Sequence, residues 1–223
     1  SKPLVYISST VAIILWGMSY IWTDKLISMQ IPVFYFVFVR ILLAGVILFL
    51  FNTAYGRIKR IQRKDLPKFL LLALSIGAGI LFFKEKINAV NVIGIFLSLV
   101  GIVMVAMAKG EIGEYVLWGI IFLLIAVLSE VGHASFTKSL SGNYSSQVIV
   151  MYQFLIGSIY LLPLFLMKGL KGFDASIYFS ADVMYPIICL AILCSSLAFS
   201  LWVSTIKSLG VAKSSIFSAL IPV

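Results

Sequence analysis

The amino-acid sequence predicts an all-α polytopic membrane protein, and three observations lead to this prediction. Of the 223 residues, 62% are hydrophobic and 11% are charged, and the mean hydropathy is +1.13. A soluble domain of that composition has too few polar residues to cover its surface. The charged residues lie almost entirely between long apolar runs, and those runs lack the period-two alternation of a lipid-facing barrel. Helices therefore remain as the way to satisfy the backbone within lipid.

Six apolar runs are long enough to cross the bilayer as helices. A span needs about 20 residues, because the hydrocarbon layer is about 30 Å thick and a helix rises about 1.5 Å per residue. The predicted spans are Leu4–Trp22, Pro32–Phe51, Val90–Ala108, Tyr115–Phe136, Val148–Met167 and Val183–Ile206. The shorter runs are Leu66–Gly77, Ala78–Phe83 and Val211–Val223.

The distribution of loop charges predicts the orientation. If a helical hairpin is missing near Gly77, the segments on the side of the N-terminus carry a net charge of +10, and those on the other side carry −1. An excess of lysine and arginine marks cytoplasmic loops. We therefore expect a multi-pass protein of the plasma (inner) membrane with a cytoplasmic N-terminus. The basic loop at residues 57–68 is expected to neighbour anionic lipid rather than nucleic acid.

The second half of the chain follows the first at a constant offset of 113 residues. The matched segments are Trp22–Lys25 with Ser135–Lys138, Val39–Arg40 with Tyr152–Gln153, Ala44–Gly45 with Gly157–Ser158, and Tyr20 with His133. By the loop charges, the first copy begins inside and the second begins outside. This is an inverted repeat, which in secondary transporters places the solute site near the membrane midplane, where the repeats meet.

Short motifs in a fixed order carry a resemblance to a known family. They are the Trp-Gly of Ile14–Gly17, the corner Phe82–Ile87, the glycine-spaced segment from Asn91 to Val103, and the proline of Ala219–Pro222. In order and spacing they resemble the ten-helix drug/metabolite transporter superfamily, in particular its EamA-type exporters. The resemblance implies two inverted five-helix repeats, residues 1–108 and 109–223, and transport of small solutes.

The chain also departs from that family. Asp182–Cys194 parallels Asp65–Gly77 and is followed by 28 more residues, through Pro222, whereas the Phe82–Ile87 corner comes almost directly after Gly77. We therefore expect a comparable gap near positions 77 and 78. In the family's numbering of helices, parts of helices 3, 4 and 9 and all of helix 10 would be absent.

Two charged residues lie inside the apolar runs, and Arg40 is the first of them. It is the ninth residue of the span that begins at Pro32, roughly 12 Å below the membrane surface. A buried arginine costs several kcal/mol unless it pairs or faces water. It could bind a solute carboxylate or tether two helices. Gln153, beside Tyr152 at the repeat-related position, suits an amino-acid or amide-bearing solute, although interhelical glutamine bonds are common in membranes.

The second buried charge is Glu130, and His133 lies three residues further on the same helix face. Together they could relay protons, because histidine titrates near neutrality and burial raises the pKa of a carboxyl group. Alternatively, the two side chains satisfy each other.

Aromatic and hydroxyl side chains complete the candidate solute site. Trp16, Tyr20 and Trp202 could line a cavity, although aromatic residues also gather at lipid interfaces. The serines Ser195, Ser196 and Ser200 could touch a solute or bond to backbone carbonyls.

The sequence lacks the signatures of an enzyme. There is one histidine, no histidine–acid metal cluster, no Gly-x-Ser-x-Gly elbow and no phosphate-binding loop, so we expect no cofactor and no metal. The prediction is a secondary transporter that exports small polar metabolites, amino acids above all, by alternating access. The alternatives are a proton-coupled exporter of lipophilic cations, an intramembrane enzyme and a receptor. The sequence leaves the solute, the direction and the oligomeric state open, and a monomer is compatible with it.

Overall fold

The computed structural model of the protein describes residues 2–74, 132–211 and 213–214. These residues are helical or lie in turns, and none of them forms a β-strand. The helices are α1 (Lys2–Ser28), α2 (Val33–Ala54), α3 (Leu66–Leu74), α4 (residues 132–140), α5 (Ser146–Leu164), α6 (Ala175–Tyr178), α7 (Ala181–Cys189) and α8 (Ala198–Leu209). A π-helical turn, Phe165–Gly169, extends α5, and a π-helical segment, Leu190–Leu197, joins α7 to α8. The predicted all-α class is confirmed.

Within the described ranges, four helical stretches are long and apolar enough to cross a membrane. They are Pro3–Ser28, Val33–Ala54, Ser146–Gly169 and Ala181–Leu209. Each coincides with a predicted span and continues a few residues beyond it. The hydropathy pattern marks the hydrocarbon-facing part of a helix, whereas the helix itself continues until its backbone meets a cap or a turn. The second stretch begins one residue later than predicted, because Pro32 occupies its N-cap.

Several predicted features lie outside the described residues. They are the span Val90–Ala108, the join at positions 77 and 78, most of Tyr115–Phe136, the segment 215–223, and Glu130.

The chain divides into two compact units, Ser1–Leu74 with Phe136–Val223, and Ser75–Ser135. In the second unit the described residues are 132–135, which are helical. The packing described below is that of the first unit.

In the first unit, α2 and α5 run antiparallel and approach closely. A Cβ atom placed on Gly45 would lie 2.9 Å from Cδ2 and 3.2 Å from the backbone nitrogen of Leu155. Toward the start of α2, the ring of Phe38 stacks on that of Phe165 at 4.2 Å between centroids. Without a hydrophobic driving force between helices in lipid, such close approach at a small residue is a main source of packing energy.

Helix α1 packs antiparallel along the α7–α8 rod. At one end Lys25 Nζ lies 3.3 Å from the carboxylate of Asp182, and at the other end Ser9 and Thr205 share a hydrogen bond of 2.9 Å. At the Ser9 end, Lys138 Nζ also donates to the carbonyl of Lys207, at 2.8 Å. The sequence places Lys25 and Asp182 on one side of the membrane, and Lys138 and Lys207 on the other. These contacts agree with that grouping, and which side faces the cytoplasm stays a prediction.

Candidate functional site

Arg40 on α2 points its guanidinium at the π-helical segment. Its Nε donates a hydrogen bond of 2.8 Å to Oγ of Ser195, which is fully buried. The neighbouring Ser196 hydroxyl donates to the carbonyl of Ala44, at 3.4 Å, and Ala44 stands at the middle of the 22-residue helix α2. Ser195 therefore lies near the middle of the bundle, about one helical turn deeper than the Cα of Arg40.

The terminal amino groups of Arg40 make no hydrogen bond and no ion pair with the described residues. Among the described residues, Arg40 forms one side-chain hydrogen bond, through Nε. The ion pairs among those residues join Lys25 to Asp182 and Lys68 to Asp65. A guanidinium has five N–H donors, of which the Nε–H is one. The Nε bond tethers two helices, and binding of an anion by the terminal amino groups stays a prediction.

The π-helical segment shapes the surface that meets Arg40. The Ser196 hydroxyl donates to the carbonyl of Ala191, five residues earlier, at 2.9 Å. At Cys194 the segment forms two hydrogen bonds with α1. Trp16 Nε1 donates to the Cys194 carbonyl at 3.1 Å, and the Cys194 thiol donates to the Leu15 carbonyl at 3.0 Å. Such wide turns recur at functional sites.

A cluster of four aromatic rings begins at Trp16, which bonds to the residue before Ser195, and extends toward the depth of Gln153. Trp16 meets Phe199 and Trp202 edge to face, at 5.1 and 5.4 Å between centroids, and Phe154 meets Phe199 at 5.2 Å. Phe199 is four residues beyond Ser195, hence on the same helix face. The Nε1 of Trp202 is buried and has no hydrogen-bond partner among the described residues. We call Trp16, Phe154, Phe199 and Trp202 the aromatic cluster.

Gln153 lies on α5 at a different depth from Arg40. The contacts of Gly45 with Leu155 and of Phe38 with Phe165 fix the antiparallel register, and Arg40 falls between them. Gln153 is therefore displaced from Arg40 by two to three helical turns, roughly 10–15 Å along the bundle. The predicted inverted repeat, which stays a prediction, would place equivalent positions at equal depths from opposite faces. Gln153 is 8% exposed.

The other candidate residues lie elsewhere. The hydroxyl of Tyr152 donates to the carbonyl of Lys59 at 3.3 Å, and its ring packs edge to face on Phe69. Tyr20 is 62% exposed on α1. His133 is buried and lies in the helical residues 132–135 of the second unit. Glu130, its predicted partner, lies outside the described residues.

Of the predicted solute-binding residues, the structure thus brings Arg40, Trp16 and Trp202 to one region. Phe154 and Phe199 were missed by the sequence analysis. The available signal was their spacing, since Phe154 directly follows Gln153 and Phe199 stands one helical turn after Ser195.

A second polar cluster surrounds Asp65, outside the membrane-spanning stretches. The Asp65 side chain is 1% exposed and accepts hydrogen bonds from Lys68 Nζ at 3.1 Å, Tyr144 Oη at 3.2 Å and Asn143 Nδ2 at 3.4 Å. Burial works to raise the pKa of Asp65, but the bonds to Lys68, Tyr144 and Asn143 together hold the pKa below its ordinary value. The cluster fastens the loop before α3 to the turn between α4 and α5.

Comparison with known proteins finds a family match for the second half of the chain. Residues 117–223 match the EamA-like transporter family. This match and the two curated relatives described next support the EamA type of the drug/metabolite transporter superfamily. The family resemblance drawn from the motifs is thereby confirmed.

Two curated relatives of this chain are named as transporters. The uncharacterized transporter YetK of Bacillus subtilis (strain 168) is 30% identical over 151 residues, which cover 65% of the chain and 45% of the relative. An uncharacterized transporter of Archaeoglobus fulgidus is 24% identical over 147 residues, covering 62% and 48%. The chain spans about half the length of the curated relatives it matches. No solved structure matches it.

Proposed function

We propose that the EamA-type protein is a secondary transporter that exports small metabolites bearing a carboxylate, with amino acids as the foremost class. The observation that carries this proposal is the Arg40 guanidinium, positioned by Ser195 and without a carboxylate partner in the described part of the chain. The family of the chain and the names of its relatives support transport as the activity.

A carboxylate is the group that such a guanidinium binds best. The planar fork of arginine matches the two oxygens of a carboxylate, and a bidentate pair adds geometric specificity to the charge attraction. At mid-bundle depth the pairing also offsets the cost of holding an arginine away from water. The apolar part of the solute would lie against the aromatic cluster. Gln153, two to three turns away, would contact the far end of an extended solute or serve a second position along the path.

The transport cycle follows from the inverted repeat. The two repeats would rock about the region of Arg40 and Ser195 and open it to each side in turn. Glu130 and His133 remain the candidates for proton coupling. In this proposal Tyr152 holds the basic loop and Tyr20 faces lipid, so neither contacts the solute.

The test is solute counterflow in proteoliposomes that contain the full-length protein. The panel pairs each amino acid with its carboxamide derivative, which lacks the carboxylate, and adds lipophilic cations. We expect exchange of the amino acids and loss of exchange for the amides. Exchange of cations alone would overturn the proposal in favour of the multidrug alternative, and exchange of amides equal to that of amino acids would remove the role of Arg40.

Matched variants assign the residues. Arg40→Gln is expected to abolish exchange, whereas Lys25→Gln, which removes an exposed cation at the end of α1, is expected to retain it. Glu130→Gln should still exchange amino acids but lose uptake driven by a pH gradient if Glu130 couples protons. Unchanged gradient-driven uptake in that variant would contradict proton coupling at this residue.

A further inference from the structure

In the loop between α2 and α3 the basic side chains are exposed and the acidic side chain is buried. Its lysines and arginines at the surface are Arg57, Lys59, Arg60, Arg63 and Lys64. The acid of this loop, Asp65, is 1% exposed and is paired with Lys68 and bonded to Tyr144. The outward surface of the basic loop therefore carries positive charge that no side chain within the loop compensates.

Hydrogen bonds hold this loop in one conformation against the second half of the chain. Lys59 Nζ donates to the carbonyl of Asn143 at 2.8 Å, and the hydroxyl of Tyr152 donates to the carbonyl of Lys59 at 3.3 Å. The backbone N–H of Gln62 donates to Oη of Tyr144 at 3.0 Å. Cations on a loop that is already ordered lose less conformational entropy when they bind a ligand.

The position of the loop points to the bilayer as the source of that ligand. It begins directly after the membrane-spanning helix α2, which ends at Ala54. Tyr55 and Ile58 are exposed beside the cations, and the guanidinium of Arg57 lies 5.2 Å from the Tyr55 ring centroid. Aromatic and basic residues at the end of a span lie at the level of lipid headgroups. Charges there are also within a Debye length of the phosphates.

We propose that the basic loop is a binding site for the headgroup of an anionic phospholipid. Arg57, Arg60, Arg63 and Lys64 supply the charge, and the arginine forks bind the phosphate oxygens. The hydrogen bonds that join the loop to Asn143, Tyr144 and Tyr152 keep these cations in place. The site is independent of the solute site at Arg40, so a failure of either proposal leaves the other standing.

The test is native mass spectrometry of the full-length protein in detergent, titrated with phosphatidylglycerol or phosphatidylcholine. We expect a clear preference for phosphatidylglycerol. Each basic residue near an anionic surface changes affinity about fivefold, so R57Q/R60Q/R63Q should weaken phosphatidylglycerol binding about 100-fold. The control K168Q/K171Q, which removes two lysines at the end of α5, should bind normally. Equal binding of the two lipids, or an equal loss in both variants, would overturn the proposal.

Competition separates the lipid from other phosphates. Inorganic phosphate or a short oligonucleotide at millimolar concentration should leave phosphatidylglycerol bound, because neither offers acyl chains beside Tyr55 and Ile58. Displacement by either soluble anion would overturn the assignment to lipid.

A further variant tests whether phosphatidylglycerol binds to an ordered site on the loop or only to its net positive charge. Tyr144→Phe keeps every charge and the ring but removes the hydroxyl bonded to Gln62 and Asp65. We expect at least about fivefold weaker phosphatidylglycerol binding, because two hydrogen bonds that order the loop are lost. Tyr20→Phe, at an exposed tyrosine of α1, is the matched control. If Tyr144→Phe does not fold, Tyr152→Phe, which removes the bond to the Lys59 carbonyl, takes its place. Wild-type affinity in the folded variant would contradict the proposal that the ordered loop forms the binding site.

Discussion

The Nε of Arg40 lies 2.8 Å from Oγ of Ser195, and this hydrogen bond joins α2 to the π-helical segment near the middle of the bundle. Ser195 is fully buried and Arg40 partly so, and the bond fixes the direction of the guanidinium. A fixed guanidinium loses little entropy when it takes up a carboxylate. Ser195 is therefore a positioning residue for the proposed solute site.

Ser195→Ala should weaken solute binding without removing the charge of Arg40. A hydrogen bond to a charged group is worth roughly 1.5–3 kcal/mol, so we expect the KM of carboxylate exchange to rise about tenfold or more. The maximal exchange rate should change less, because the terminal amino groups remain.

The measurement is the concentration dependence of counterflow. Ser196→Ala is the matched control, since its hydroxyl bonds to the carbonyls of Ala191 and Ala44 rather than to Arg40. Equal increases of KM in the two variants would show that the serines act on helix packing alone.

Asp65 should make the stability of the protein sensitive to acid. Its pKa in the folded protein is lower than in the unfolded chain, where an aspartate titrates near 3.9. The stabilisation from its ionised form is therefore present above about pH 4–5 and is lost as the pH falls through the folded pKa. Thermal unfolding in detergent between pH 6 and pH 3 should show this loss.

Asp65→Asn should be less stable than the wild type at pH 6 and should show a smaller decrease toward pH 3. The control is Asp182→Asn, which removes an exposed carboxylate at the other end of the bundle and should keep the acid sensitivity of the wild type. An unchanged pH profile in Asp65→Asn would contradict the role of the Asp65 cluster.

Gly45→Ala should destabilise the contact between α2 and α5. The added Cβ would lie 2.9 Å from Cδ2 and 3.2 Å from the backbone nitrogen of Leu155, so either the Leu155 side chain or the helix must move. Overpacking of this kind costs about 1–3 kcal/mol. The measurement is the midpoint of thermal unfolding.

Gly157→Ala, also on a membrane-spanning helix, is the matched control. No heavy atom of the described residues lies within 4 Å of a Cβ added there. Alanine exceeds glycine in helix propensity by about 1 kcal/mol, so this variant should be neutral or slightly stabilised. Similar decreases in both variants would argue against a specific close approach at Gly45.

The positions of the four described spans were predictable from the sequence, and their ends were less so. Pro32–Phe51 became Val33–Ala54, and Val148–Met167 became Ser146–Gly169 including its π-helical turn. Hydropathy locates the stretch that avoids water because that stretch must be apolar whatever it packs against. The π-helical turns gave no comparable signal, since they depend on how neighbouring helices and side-chain hydroxyls satisfy the widened backbone.

The candidate site was predictable only in part. A charge inside an apolar run stands out in any reading of the sequence, which is why Arg40 was found. Tyr152 stands at a repeat-related position, yet its hydroxyl bonds to the Lys59 carbonyl, and the depth of Gln153 depends on the antiparallel register of α5 against α2. Neither contact can be predicted from the neighbouring sequence, because the partners lie far apart in the chain.

The sequence by itself determined the all-helical class, the described spans and the resemblance to the EamA family, because hydrophobic length and motif order are properties of the chain alone. The tertiary structure decided which polar groups meet. It bonded Arg40 to Ser195, separated Arg40 from Gln153 and buried Asp65 within the basic loop. Those pairings depend on helix register and crossing, which are set by close packing between segments that the sequence keeps apart.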